Sequence, residues 1–298
     1  MSTTVNGPSN NGARPQSWSQ SWTHFSVDRR NLRYCRVTFD HPPINTVTAT
    51  TVAELAELVG LIEQDADLNV VVFDSANPDF YLAHYDIEDD PVRTTVLGLG
   101  PTGLSAWNDV LVRLARAPLV SIAAIRGRAR GAGSEFVLAC DLRFASRENT
   151  LLGQWEVGVG VVPAGGPMAR LSRLVGRGRA LEILLVADDI DGPRAERYGY
   201  VNRAVPDARL GDEVEAIAVR LARFDHEAIV RTKSYVDLTT LPSNSELAPP
   251  LNDFRELFGR PAQQAQWTRL QELGLNADSE LERSLGQRLV DSLPEQDS

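Results

Sequence analysis

Residues Ala123–Ser146 read AAIRGRARGAGSEFVLACDLRFAS, and the change of local pattern inside this stretch decides the fold. The apolar run from Leu119 to Ile125 reads as a buried strand, the glycine-rich segment Gly127 to Gly133 as a turn, and a helix starts at once; Leu142 to Ala145 then returns to strand. A strand that feeds Gly131-Ala132-Gly133 and then a helix places bare backbone N–H groups at a helix N-terminus, where they can hold developing negative charge. Taken alone, the same glycines also serve simply to let strand and helix pack closely. Glu135 sits in the first turn of that helix, a favourable place for a carboxylate beside the helix dipole. A second carboxylate, Glu156, follows in LLGQWEVGVGVVPAGG (Leu151 to Gly166). Two carboxylates can divide general-acid and general-base work when their surroundings separate their pKa values.

The alternation continues on both sides. Arg33 to Asp40 alternates polar and apolar residues as a half-buried strand does, and His41-Pro42-Pro43 ends it. From Thr48, the residues Val52, Leu55, Leu58, Leu61 and Ile62 fall at helical spacing, and Asn69 to Asp74 is a short β-branched strand. A helix over about Gly103 to Ala117, the segment Leu151 to Glu156 and helical stretches after Pro163 and Gly178 complete an α/β architecture, with strands ending near Val205. Beyond Leu210 the pattern is helical: Asp212 to Phe224, His226 to Leu238, then, after the linker LPSNSELAPP, Phe254 to Leu273 and Leu281 to Leu293. The chain therefore divides into a disordered arm (residues 1–21, rich in Ser, Asn, Gly, Gln and Pro), a core (22–210) and a helical region with an extended tail (211–298) that covers a neighbouring subunit or its own core.

Composition narrows the function. A net charge of −10 over 298 residues leaves no basic field for a nucleic acid or an anionic membrane surface. The two cysteines, Cys35 and Cys140, lie in apolar segments, which argues against a disulfide framework or a zinc site and for a reducing, cytoplasmic setting. No metal motif occurs, and Gly127 to Gly131 lacks the spacing of a dinucleotide fingerprint. No apolar run approaches the roughly 20 residues of a membrane-spanning helix. Lys233 is the one lysine in the chain.

In order and spacing, Gly131-Ala132-Gly133-Ser134-Glu135-Phe136, Ala139-Cys140-Asp141, Gly153-Gln154-Trp155-Glu156, Val162-Pro163-Ala164-Gly165-Gly166 and Arg170-Leu171 resemble the central signature of the crotonase (enoyl-CoA hydratase/isomerase) superfamily. The resemblance covers roughly Leu32 to Asp237 and includes His41-Pro42-Pro43-Ile44-Asn45 and the run from Gly192 into Val201-Asn202. It implies a spiral of β-β-α units with a C-terminal helical region, assembled as a homotrimer or hexamer, and an acyl-CoA substrate that brings coenzyme A with it and needs no other cofactor. By position it implies an oxyanion hole from the backbone N–H groups of Tyr85 and Ala132, with Glu135 and Glu156 acting on a water and on the α-carbon proton. Gly131, His84 and Trp155 are the further candidates for contact with substrate.

The sequence departs from that pattern in three places. His84 and Tyr85 stand where the resemblance expects small residues, so His84 is either an added acid/base group or a residue packed under the loop. Glu88-Asp89-Asp90 stand where a basic residue for CoA phosphates is expected, leaving Arg93, Arg30 or Arg126 to supply positive charge. Trp155 should point away from Glu156 if that segment is extended. These departures keep two other readings open: a lyase, hydrolase or isomerase of this fold that acts on a free ketone or diketone, and a non-catalytic scaffold.

Overall fold

A computed structural model describes residue 18, residues 20–86, residues 97–291 and residue 293. The acidic run Glu88-Asp89-Asp90, Arg93 and nearly all of the expected disordered arm therefore lie outside the described residues. Trp18, from the end of that arm, packs against the main core, with the Arg29 guanidinium 4.8 Å from its ring centroid.

Tyr34–Phe39 (β2) forms the expected strand, with Tyr34, Cys35, Val37 and Phe39 buried. A strand that the sequence reading missed precedes it: Phe25–Asn31 (β1) pairs antiparallel with β2, Phe25 opposite Phe39. Its sequence, FSVDRRN, loses apolar alternation after Val27 because it is an edge strand, wet along most of its length. Helix Ala49–Gln64 (α1), capped by the Thr48 hydroxyl accepting from the Thr51 N–H at 3.3 Å, then leads to Val70–Ser75 (β3), parallel to β2.

From β3 onward the chain alternates between two sheets. Phe80–Leu82 (β4) enters a second sheet, and helix Ala106–Arg116 (α2) carries the chain back to Val120–Ile125 (β5) in the first. Arg128–Arg130 (β6) joins β4, helix Ala132–Ala139 (α3) follows, and Leu142–Ser146 (β7) and Leu151–Gly153 (β8) repeat the pattern. After helices Pro167–Val175 (α4) and Arg177–Val186 (α5), Ile190–Asp191 (β9) pairs antiparallel with β8. Helix Gly192–Tyr198 (α6) precedes Arg203–Val205 (β10), parallel to β7. The sheets run β1-β2-β3-β5-β7-β10 and β4-β6-β8-β9, so each β-β-α turn leaves one strand in either sheet. The second sheet was not legible: the stretch Gly127 to Gly133, expected as a single turn, contains β6, and a three-residue strand is too short to show a period of two.

Two apolar layers enclose the six-stranded sheet. On one face Phe136 of α3 meets Phe39 and Phe73 edge-on, with ring centroids 5.3 and 5.0 Å apart. On the other, Leu210–Ala222 (α7) lays Leu210, Val214 and Ala218 over Val70, Val72 and Ile122. These contacts fix α3, and with it Glu135, between packed layers.

Beyond α7 run His226–Thr240 (α8), Asn244–Leu247 (α9), Pro249–Phe258 (α10), Pro261–Glu272 (α11), Glu280–Arg283 (α12) and Leu285–Asp291 (α13). The single helix expected over Phe254 to Leu273 is two, because Pro261 offers no N–H to continue the ladder. Leu281 to Leu293 likewise divides, at Ser284. The arm folds onto its own core: Trp267, Leu270, Leu281, Leu285 and Leu289 pack with Trp155, Val159 and Val161, next to Glu156. In contrast, α8 buries no residue and leaves Tyr235, Val236 and Leu238 exposed.

Candidate active site

Glu135, one turn into α3, is 4% exposed. Its Oε1 accepts from the Gly165 N–H at 2.6 Å and its Oε2 from the Trp107 indole N–H at 2.8 Å. Gly165 must be glycine, since a Cβ there would stand 2.0 Å from Glu135 Oε2. Glu156 opens a short 3-10 turn, Glu156–Val159, directly after β8, and is 9% exposed. The extended geometry assumed for this segment ends at Gly153, so Trp155, with φ −97° and ψ −4°, does not face away from Glu156. Both side chains border one cavity of about 160 Å³, together with Glu135, Ala132, Tyr85 and His84.

The two carboxylates are not equivalent. Burial raises both pKa values. At Glu135 the Trp107 and Gly165 N–H groups and the Arg170 guanidinium oppose that rise. At Glu156 the charge of Glu135 adds to it, and the carboxyl is held well above the ordinary range despite the backbone N–H groups of Trp155 and Glu156. With its amide nitrogen turned toward Glu156, Gln154 donates to Oε1 and Oε2 at 3.2 and 3.1 Å, while its oxygen accepts from Ser134 Oγ at 2.9 Å. Burial and the charge of Glu135 thus raise Glu156 further than Glu135, which favours the proton on Glu156 and the negative charge on Glu135.

Ala132 is the first residue of α3, a position whose N–H has no intrahelical acceptor. Gly131, the residue before it, has φ +48°, and a Cβ there would come within 2.9 Å of Glu156 Oε1, so the chain must be bare at this bend. Tyr85 lies in the loop after β4, held on both sides: Val47 N–H donates to the His84 carbonyl at 2.8 Å and Asp86 N–H to the Val47 carbonyl at 2.9 Å. Of the residues singled out from the sequence, Glu135, Glu156, Tyr85, Ala132, His84 and Trp155 meet at the cavity, and Gly131 backs it.

His84 proves to be packed. The imidazole is 1% exposed, with Nε2 at 2.7 Å from Glu282 Oε1 and Nδ1 at 3.2 Å from the Tyr85 carbonyl. Burial works against its ionisation, but the Glu282 carboxylate and the Tyr85 carbonyl override it and raise its pKa; the same pairing lowers that of Glu282 against the opposite pull of burial. The Asn276 N–H also donates to Glu282 Oε1 at 2.9 Å, and Arg130 donates to the Glu282 carbonyl at 2.6 Å. Nothing in the sequence pointed to Glu282, 198 residues from His84, nor to Trp107. Arg126 is paired with Asp207 at 2.7 Å and Arg30 with Asp28 at 2.9 Å, and neither borders the cavity. Lys233 is structural, donating to the carbonyls of Ala117 and Leu119 and to Asp141.

A family model for enoyl-CoA hydratase/isomerase matches residues 30–266. The chain belongs to the enoyl-CoA hydratase/isomerase family. It is 33% identical over 204 residues to the short-chain-enoyl-CoA hydratase of Clostridium acetobutylicum, covering 67% of this chain and 76% of that one. To the crotonyl-CoA hydratase of Syntrophomonas wolfei it is 32% identical over 181 residues, 60% of this chain and 67% of that one. The fold matches the crystal structure of a Streptomyces avermitilis protein described as a candidate enoyl-CoA hydratase, with a TM-score of 0.87 and 38% identity over 94% of this chain and 99% of that one. Pseudomonas aeruginosa DspI superposes with a TM-score of 0.68 at 27% identity, over 80% of this chain and 98% of that one. Within the family frame, His84-Tyr85 stands in the loop after β4 where small residues are expected, and the arm supplies Glu282 to hold His84.

Two measurements test this geometry. Trp107→Phe removes a donor that lowers the pKa of Glu135 while keeping a ring, so the Glu135 carboxyl titration, followed by ¹³C NMR, moves to higher pH. His84 is raised above 6.5, so its share of stability is complete below that value and lost as pH rises through the raised pKa. Glu282 is lowered below 4.5, so its share is complete above that value and lost as pH falls through the lowered pKa. The stability gap between wild type and Glu282→Gln is therefore widest near pH 5–6, at about 3 kcal/mol, and narrows toward alkaline pH, as denaturant midpoints will show.

Proposed function

We propose that this protein is a hydro-lyase that adds water across the α,β double bond of an enoyl-CoA, or removes it in reverse. The observation that carries this reading is the pair of buried carboxylates with unequal proton affinity at one cavity, beside a helix N-terminus. The thioester carbonyl accepts from the N–H groups of Tyr85 and Ala132, where the negative charge of the enolate develops and where preorganised donors act most strongly. Ionised Glu135 takes a proton from water as its oxygen bonds to the β-carbon, and protonated Glu156 gives its proton to the α-carbon. Glu135 ends protonated and Glu156 ionised, and proton exchange with solvent restores the start. Coenzyme A enters as part of the substrate, and the groups named here carry each step.

The free ketone or diketone reading, motivated by His84-Tyr85 and Glu88-Asp89-Asp90, loses His84 as an added acid/base group, since both ring nitrogens are engaged, one by the Tyr85 carbonyl and one by Glu282; the acidic run lies outside the described residues. The assembly we propose is a homotrimer or a pair of trimers, formed through α8, whose Tyr235 and Leu238 are 74% and 79% exposed. A soluble, cytoplasmic setting agrees with two buried free thiols and with the absence, among the described residues, of any helix long and apolar enough to cross a membrane.

With crotonyl-CoA, Glu135→Gln and Glu156→Gln should each lower kcat by about 10²–10⁴ while the folded spectrum is retained. Turnover at the wild-type rate in either variant contradicts the roles given, and no turnover by wild type on any enoyl-CoA favours the scaffold reading. Light scattering should give a mass of three or six chains, and Leu238→Asp should lower it.

A further inference from the structure

A second cavity, of about 820 Å³, lies between α8 and the core and is about five times the 160 Å³ of the substrate cavity. The substrate cavity takes Ala132 and Glu135 from the start of α3, and this one takes Leu138 and Ala139 from its end, so the two lie at opposite ends of one helix. From α8 the lining draws Ala228, Thr232, Val236 and Thr240, four apart on one face; Tyr235 and Leu238 are not part of it. The wall is apolar and yet wet, since Leu174, Phe224 and Val236 are 38%, 42% and 55% exposed. Covering such a surface favours whatever fits there.

One charged side chain on this wall lacks a partner. Arg170 of α4 is 7% exposed, and its guanidinium makes neither a hydrogen bond nor an ion pair with any described residue. Its Nε is sealed from solvent, whereas Nη1 and Nη2 keep accessible surface, and Arg170 borders this cavity but not the substrate cavity. The other cations of the wall are taken: Lys233 by Asp141 at 2.8 Å, Arg173 by Glu246 at 2.7 Å, and Arg143 by the carbonyls of Tyr200 and Cys140. Among the wall carboxyls, Asp225 accepts from the Ala228 N–H at 2.9 Å, and burial raises the pKa of Asp237. A buried guanidinium without an anion is costly, and its planar fork matches a carboxylate. We propose that this cavity binds an amphipathic carboxylate of the fatty-acid class, with its head group on Arg170 and its alkyl chain along α8. Inorganic phosphate would meet the charge but leave the apolar wall wet; a neutral alcohol would cover the wall but leave Arg170 unpaired. The volume falls within the range of roughly 300–1,000 Å³ found for small-molecule sites. The hydratase reading neither supports nor limits this site.

Calorimetric titration of the full chain with decanoate, and with decan-1-ol as its neutral match, tests the proposal. Decanoate should bind once per chain in the micromolar range, and decan-1-ol about 10- to 100-fold more weakly. Arg170→Gln should remove that difference by weakening decanoate alone. Val236→Asp changes a half-exposed position on α8 that does not border the substrate cavity, so the fold is retained. It should weaken both ligands by about tenfold or more, because it sets a charge in the apolar wall. Equal binding of acid and alcohol by wild type overturns the proposal. So does decanoate binding that is unchanged in Val236→Asp, which places the acid in another cavity. Absence of decanoate binding, as when a second copy of this chain fills the space beneath α8, also overturns it.

Discussion

Two buried carboxylates bordering one small cavity cannot both stay ionised cheaply, and the groups around them favour the charge on one of the two. Glu135 is given the indole N–H of Trp107, the N–H of Gly165 and the nearby Arg170 charge; Glu156 is given burial and the field of Glu135. The donors come from α2 and from the loop before α4, so the asymmetry depends on the packing of three separate turns of the spiral. Because Phe136 is wedged against Phe39 and Phe73, the position of Glu135 is set by the core rather than by the loop beside it.

The C-terminal arm completes what the spiral begins. Its helices pack on Trp155, Val159 and Val161, and its Glu282 takes hold of His84 in the loop after β4. A loop with a histidine where small residues are expected would bury an unpaired imidazole, and the arm removes that cost with one hydrogen-bonded carboxylate. The arm and the loop both border the cavity.

Much of this was legible in the sequence because the informative features are local. A helix starting right after Gly131-Ala132-Gly133, Glu135 in its first turns and Glu156 two residues after a Gly-Gln pair are properties of short segments, and the structure places them at one cavity. What stayed hidden is of two kinds. Strands β4, β6 and β8 have three residues each and carry no readable period, so the second sheet was invisible, as was the end of β8 at Gly153, before Trp155. Trp107, Glu282, Gln263 and Trp267 reach the site only through tertiary contacts far along the chain, and their local sequence reads as ordinary helix.

The central claim is the unequal protonation of the pair, and infrared difference spectroscopy of the unliganded protein at neutral pH reads it directly. The account predicts a protonated-carboxyl C=O band that disappears in Glu156→Gln and persists in Glu135→Gln. A spectrum without such a band, or one whose band is lost in Glu135→Gln and kept in Glu156→Gln, contradicts it.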